Sequence, residues 1–478
     1  MQLKRLLAAI ILLPAASFGQ EIWSLEKCIQ YAKDNNIQIK QSELQIDMND
    51  RLRTQAAARF LPTVNAQGSN TYNYGRTIDP FTNTFANNKV RSTQLFLSGN
   101  LNLFSGFQNW NQLAQSHYEY LASIKDTEQR SNDVSLSIAT AYLQILFGKE
   151  LVKNAENQLE ISRLQRDRIS KLVVAGSLAE SNQFDIDAQY ARDELALVNA
   201  ENSLNLYYLQ LYQYLQLDIN TEIEVQTPDN LNVDGALLSA NADDVYHAAV
   251  GIMPEVKAQE LRMQSAEKAL NVAMGAIVPR LALSGSYGSG YSGNNVVPLG
   301  TPTTVYTPIP FYDAQGNAQP ATVYSQQQIY TEGFAPKKFN DQLKDNLNKS
   351  ISVTLTVPIF NGLTTNTSIK RARVNSMNAR LQYEAVRNTL QQTVQRSYND
   401  ALSAYKQFLA SEKLVSAQKE SFKYADIKYQ QNLINLVEYT DAKIKLTNAE
   451  NDLVRSKYDY VFKTKVLDFY QGKGLSLK

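Results

Sequence analysis

Two stretches of the chain alternate apolar and polar residues with period two. In the first, Leu95, Leu97, Leu101 and Leu103 alternate with Gln94, Ser98, Asn100 and Asn102, and Phe96 breaks the pattern. In the second, Ile351, Val353, Leu355, Val357 and Ile359 alternate with Ser352, Thr354 and Thr356. Such stretches predict strands with one apolar and one polar face. Each has an upstream partner, one after Pro62 through Val64, Ala66, Tyr72 and Tyr74, the other after Pro279 through Leu281, Leu283, Tyr287 and Tyr291. A short loop near Asn83 to Asn88 joins the first pair, and a long excursion near Asn294 to Lys344 joins the second. The excursion is rich in Pro, Tyr, Gln and Thr.

Elsewhere apolar residues recur at three and four, as in Leu113, Tyr118, Leu121, Val134, Ile138, Tyr142, Ile145, Leu151, Ala155 and Leu159. This predicts a helix from Gln108 to about Val173. At roughly 1.5 Å per residue it is about 100 Å long. Gly176 marks a turn, and a shorter helix returns from Glu180 to about Leu217. An opening helix is expected from Leu25 to Phe60. The second half repeats the scheme, with a long helix from Ser368 to about Gln431 and short ones from Ala242 to Ile277 and Leu436 to Phe469.

The halves superpose on each other. Setting Phe104-Ser105-Gly106 over Phe360-Asn361-Gly362 holds an offset of 256 residues without a gap for about a hundred residues. It pairs Tyr142 with Tyr398, Val134 with Leu390 and Asp185 with Asp441. We read the chain as a leader over residues 1–19, a first repeat over 20–240 and a second over 241–478. The leader reading rests on Lys4 and Arg5, the apolar run Leu6 to Leu13, and Ser17 and Gly19 before a cut at Gln20. After residue 20 no run of apolar residues is long enough for a transmembrane helix, so entry into a membrane would require a barrel.

Composition narrows the functional classes. Net charge is +1, without the basic excess of a nucleic-acid binder. Cys28 stands alone, so no intramolecular disulfide forms, and His117 and His247 are too far apart to suggest a metal site. No cofactor is expected. Gly285 to Gly293 is glycine-rich but lacks the Lys-Ser or Lys-Thr of a phosphate loop. No hydrolase, metalloprotease or nucleotide-binding motif appears, which points away from an enzyme. Four amphipathic strands cannot close a barrel, because single-chain outer-membrane barrels start at about eight strands. A shared barrel therefore predicts oligomerisation. A structural or adhesive surface protein with a coiled-coil stalk is the alternative, and it leaves the duplication unexplained.

Several short motifs, in order, carry a resemblance over essentially the whole mature chain. They are Ser24-Leu25-Glu26-Lys27-Cys28-Ile29-Gln30-Tyr31-Ala32, Phe60-Leu61-Pro62, Leu103-Phe104-Ser105-Gly106, Val278-Pro279-Arg280 and Pro358-Ile359-Phe360-Asn361-Gly362. Together they resemble the TolC family of outer-membrane efflux proteins. The resemblance implies a mostly α, mixed α and β fold, with long antiparallel helical hairpins forming a periplasmic tunnel and four strands per chain in a shared β-barrel. It implies a homotrimer in outer-membrane lipid, working with a periplasmic adaptor and an inner-membrane transporter as the exit duct of a tripartite efflux or type I secretion system. Adaptor contacts are expected at the hairpin turns, at Gly176, Ser177 and Leu178 and at Asn432, Leu433 and Ile434. Asn432 stands where the first turn has Gly176, a departure that the left-handed tolerance of Asn accommodates. An acidic ring at the periplasmic entrance is expected from Glu438 and Asp441, matched in the first repeat by Asn182 and Asp185. Such a ring favours cations. The Gly75-Arg76-Thr77-Ile78-Asp79-Pro80 stretch has no assignable role from sequence.

Overall fold

The structure, a computed structural model, describes residues 21–86, 89–218, 221, 223–228, 241–431 and 433–476. The leader at 1–19 and Asn432 therefore lie outside the described residues. In chain order the elements are β1 (Glu21–Trp23), α1 (Leu25–Asn35), α2 (Ile37–Ala58), β2 (Thr63–Asn73), β3 (Thr77–Ile78), β4 (Phe85–Ala86), β5 (Val90–Phe104), α3 (Gln108–Val174), α4 (Glu180–Leu215) and β6 (Ile223–Val225). There follow α5 (Ala242–Ile252), α6 (Pro254–Met274), β7 (Arg280–Ser292), β8 (Val296–Pro298), β9 (Thr303–Tyr312), β10 (Ala318–Ile329), β11 (Phe334–Pro336), α7 (Phe339–Asp345), β12 (Asn348–Thr356), α8 (Thr364–Gln430) and α9 (Leu436–Tyr470). The starts and ends of α3 and α8, and the starts of α4 and α9, are each separated by 256 residues. The starts of α1 and α5, α2 and α6, and β2 and β7 are each separated by 217.

The expected opening helix of each half is two helices, not one. Asn36 leaves the helical conformation (φ −63°, ψ 126°). Its Oδ1 accepts from the Gln38 amide at 2.9 Å, and its Nδ2 donates to the Tyr214 carbonyl at 3.2 Å. The side chain thus restarts the helix as α2. In the second half Met253 is extended ahead of Pro254, the first residue of α6. Proline disfavours a helical residue before it and is well suited to a first helical position.

The chain divides into two compact units, each drawing on both halves of the sequence. One comprises Met1–Arg53, Gln115–Glu267 and Val374–Lys478, and the other Thr54–Ala114 and Lys268–Arg373. In the first unit the middle of α3 is the core. Ile138, Tyr142, Ile145 and Leu146 pack with Cys28, Leu211, Leu215 and Val225. The Tyr142 hydroxyl lies 2.8 Å from the Gln226 carbonyl and 3.2 Å from that of Trp23, tying the parallel β1–β6 pair to α3. A second core gathers Val245, Ala249, Val256, Leu390, Val394 and Leu467. No helix of the described residues is long and apolar enough to cross a membrane.

The second unit holds an antiparallel sheet in the order β12–β7–β5–β2. Its register places Leu97 beside Ala66 and Tyr287, and Leu101 beside Leu283, which is itself beside Val353. Paired residues share a face, so one face is apolar. The other carries Ser98 beside Ser286, and Ser286 beside Ser350 with the two hydroxyls 2.8 Å apart. Phe96, which breaks the alternation, stands on the polar face. Its partner Gly288 has no side chain, and the Phe96 ring fills that space.

The long excursion is structured. β9 and β10 form a hairpin, β8 pairs with β11, and α7 lies beside the part of β7 that β12 does not reach. Gln342 of α7 behaves as a strand residue would. Its Oε1 accepts from the Ser292 amide, and its Nε2 donates to the Ser292 carbonyl, both at 2.9 Å. The Gly75–Pro80 stretch now has a structural role. The buried Asp79 carboxylate accepts the amides of Phe81 at 2.9 Å and Thr82 at 3.0 Å, and the Ser292 hydroxyl donates to it.

Candidate functional site

The site expected from sequence is the pair of turns at the ends of the long helices. At the first, Gly176 takes a left-handed φ of 69° with open space around its α-carbon. Its amide donates to the Val173 carbonyl at 2.9 Å, and the Ser177 amide donates to that of Leu172 at 2.8 Å. These two bonds are the Schellman closure of a helix, which a glycine makes without steric cost. At the second turn the Leu433 amide donates to the Lys428 carbonyl at 2.9 Å, the same step as Ser177 to Leu172.

The two turns meet. Ile169, Ile186, Leu436 and Tyr439 form one buried cluster, flanked by Val173, Leu178, Phe422, Tyr429 and Ile434. Of the residues expected to contact a partner, Leu178 and Ile434 are therefore partly spent on joining the turns. Ser177 is exposed and Leu433 is 68% exposed. Val174, Phe184 and Val437 are also exposed, so the turns carry unpartnered apolar side chains in the single chain. Tyr439 stacks on Tyr429 with ring centroids 4.6 Å apart and receives a hydrogen bond from Gln165.

Glu438 and Asp441 lie on the first turns of α9, and both are exposed. Glu438 has a local task. Its amide donates to Asn435 Oδ1 at 2.9 Å, and its carboxylate accepts from Asn435 Nδ2 at 3.1 Å, an N-terminal cap akin to a capping box. Asp441 pairs with Lys445 at 2.6 Å, with both side chains more than half exposed. On α4, Asn182 donates its side chain to the Ala179 carbonyl at 3.3 Å, and Asp185 is exposed. Among the described residues no hydrogen bond or ion pair joins Glu438 and Asp441 to Asn182 and Asp185. No group of three or more His, Cys, Asp or Glu among them is placed to hold a metal.

Sequence reasoning missed the polar stretch between the hairpins. α3 and α9 run antiparallel, and Asn154 meets Asn451 at 3.2 Å, Gln158 meets Thr447 at 3.3 Å, and Ser162 meets Lys443 at 3.3 Å. Lys443 is 3% exposed. Asp193 of α4 accepts from Ser162, from Gln158 at 3.3 Å and from Gln189 at 2.8 Å. Burial pushes the Lys443 ammonium down to about 8, against the partly compensating attraction of Asp193.

A sequence profile of the family described as outer membrane efflux protein matches residues 28–216 and 245–472. The chain is 21% identical over 469 residues to the outer membrane protein TolC of Escherichia coli (strain K12), covering 96% of this chain and 84% of that protein. The fold is similar to that of the outer membrane protein VceC from Vibrio cholerae, with a TM-score of 0.73 at 14% identity over 94% of this chain and 96% of that one. It is also similar to the open-state MtrE outer membrane channel of Neisseria gonorrhoeae, with a TM-score of 0.70 at 16% identity over 95% and 90% of the two chains.

Proposed function

The chain belongs to the outer membrane efflux protein family, and from that premise we propose that it works as a homotrimeric exit duct passing cargo received from an inner-membrane transporter through a periplasmic adaptor. It is an outer-membrane channel of the efflux and secretion class, and this membership displaces the surface-stalk alternative. The duct does no chemistry of its own.

The observation that carries the assembly is the four-stranded sheet. Its edges, β2 and β12, pair with nothing within the described chain, and its apolar face is open, with Ile351, Val353 and Leu355 all exposed. Open strand edges cannot face lipid, so other copies must complete them. The helices support the same reading. α2 exposes Leu44, Met48 and Leu52, and α8 exposes Val374, Met377 and Leu381, each a stripe at helical spacing. Within the chain, α3 meets α6, with Gln108 bonded to the Val272 carbonyl at 2.9 Å, Ser265 to Glu119 at 2.6 Å, and Arg262 paired with Asp126. Shifting α3 by 256 gives α8, and shifting α6 back by 217 gives α2. The same contact made between copies would cover the α2 stripe, with Asn375 of α8 set against Met48.

The exposed apolar residues at the turns suit an adaptor, and Glu438 and Asp441, repeated three times, suit a cation-favouring entrance. The test is single-channel conductance in a planar bilayer, comparing wild type with the Glu438→Ala, Asp441→Ala double variant. A cation-selective wild-type current that changes size or selectivity in the variant supports duct and ring together. Conduction with unchanged selectivity removes the ring, and a membrane-inserted trimer that never conducts removes the duct.

A further inference from the structure

The apolar face of the sheet is not uniform. A groove of about 470 Å³ lies on it, lined by Gly68, Leu95, Leu97 and Tyr287 from the strands and by Leu343 and Leu347 from α7 and the residues after it. That volume falls within the roughly 300–1,000 Å³ typical of small-molecule sites. The groove sits over the two central strands and β2, and Gly68 leaves its floor low. Because β5 and β7 are inner strands, neighbouring copies that complete the sheet at β12 and β2 leave most of this groove open.

Charge on the same sheet is one-sided. The four strands contain three charged residues, Arg91, Arg280 and Lys349, and no acid. The register puts Lys349 beside Tyr287 and Arg91 beside Tyr72, all on the apolar face. Each cation lies against a ring, with Lys349 Nζ 5.6 Å from the Tyr287 centroid and the Arg91 guanidinium 6.0 Å from that of Tyr291. Lys89 lies 4.7 Å from Tyr72, just beyond the strand. Going up the strands toward their loops, this face therefore changes from leucine through the groove to tyrosine and cation. A lipid passes through the same sequence, from acyl chain through glycerol to a charged headgroup.

We propose that this groove seats one acyl chain of a phosphate-bearing anionic lipid, with its headgroup drawn toward Arg91 and Lys89 and Lys349 on its flank. The inference rests on the shared-barrel reading, which turns the apolar face toward lipid. Surface cations near an anionic headgroup each strengthen binding about fivefold.

The test is native mass spectrometry of the detergent-solubilised full assembly, titrated with palmitoyl-oleoyl phosphatidylglycerol or with the corresponding phosphatidylcholine. Wild type should retain phosphatidylglycerol at least about fivefold more tightly. The Lys89→Gln, Arg91→Gln, Lys349→Gln triple variant should retain both lipids equally. Gly68→Phe, which fills the floor, should weaken both. Inorganic phosphate should displace neither, because the acyl chain holds the lipid. Equal retention by wild type, a preference that survives the triple variant, or displacement by inorganic phosphate overturns the proposal. The same spectra report subunit number, so a trimer without lipid preference refutes only the groove, whereas a monomer refutes the shared barrel on which it rests.

Discussion

The ammonium of Lys443 donates to the hydroxyl of Ser162 across the α3–α9 seam, 3.3 Å away and almost without solvent. Beyond the polar stretch the seam is apolar or aromatic, with Phe147 beside Tyr458 at one end and Ile169, Leu436 and Tyr439 at the other. A buried ammonium with one hydroxyl partner and the attraction of the Asp193 carboxylate is held charged at a cost in stability. Burial lowers its proton affinity to about 8, while the unfolded chain keeps its lysine protonated to about pH 10.4. The unfolded state therefore binds more protons between these values, and stability rises with pH across that window. Below about 8 the penalty is fully present. Between pH 8 and 10.5, wild type should gain up to about 3 kcal/mol per chain relative to Lys443→Met. Urea midpoints of both proteins at the two pH values check this, and parallel curves would show that the ammonium is not penalised.

The stripe on α2 gives a direct test of assembly. The in-chain bond of Ser265 to Glu119, carried over by the two element offsets, brings Met48 of one copy beside Asn375 of the next. A Met48→Cys, Asn375→Cys double variant, oxidised in membranes, should run as a ladder that stops at the trimer on a non-reducing gel. Each single variant should stay monomeric. The native Cys28 is fully buried and does not interfere. A ladder in the single variants, or none in the double, would contradict the interface.

The long periodic elements were legible because each repeats one simple rule many times. α3 and α8 begin and end within a few residues of their expected limits, and Gly176 falls at the turn. Local chemistry that overrides the period was not legible. The kink at Asn36 depends on the Tyr214 carbonyl, 178 residues away, which no local pattern reveals. The burial of Asp79 depends on Ser292. The polar seam could have been found. Leu436, Tyr439, Lys443, Thr447, Asn451, Val454 and Tyr458 continue one stripe at three and four, so Lys443 occupies a seam position. The β9–β10 hairpin offers no such rule, because in β9 apolar Val305 and Ile309 alternate with Tyr306, Pro308 and Tyr312, so no polar face marks the period.

Gly275 and Gly251 should respond to alanine in opposite directions. A Cβ at Gly275 would overlap the Gly106 carbonyl and come within 2.7 Å of Gln108 Cγ, where the β5–α3 junction crosses the end of α6. Backbone must shift there, costing about 1–3 kcal/mol as overpacking does. Gly251 lies inside α5 with nothing near its α-carbon. Alanine there should stabilise by about 0.5–1 kcal/mol. Denaturant midpoints of the two variants against wild type measure both signs, and a neutral Gly275→Ala would mean the crossing is looser than it stands.

Asp79 is the anchor between the two loop regions of the sheet. Its carboxylate satisfies two amides of its own loop and the Ser292 hydroxyl at the end of β7, and Ser292 is in turn held through its backbone by Gln342 of α7. Removing the carboxylate in Asp79→Ala leaves buried amides without an acceptor, at about 1–3 kcal/mol. Asp79→Asn keeps an acceptor for the amides and should lose less. The effect is local, since the strand register of β5 and β7 continues well away from this end. Limited proteolysis of intact outer membranes should therefore cut Asp79→Ala within residues 294–344 faster than wild type, with Asp79→Asn between them, while the amount of assembled protein stays constant. If all three are cut at one rate, the excursion is held by its own hairpin and not by this anchor.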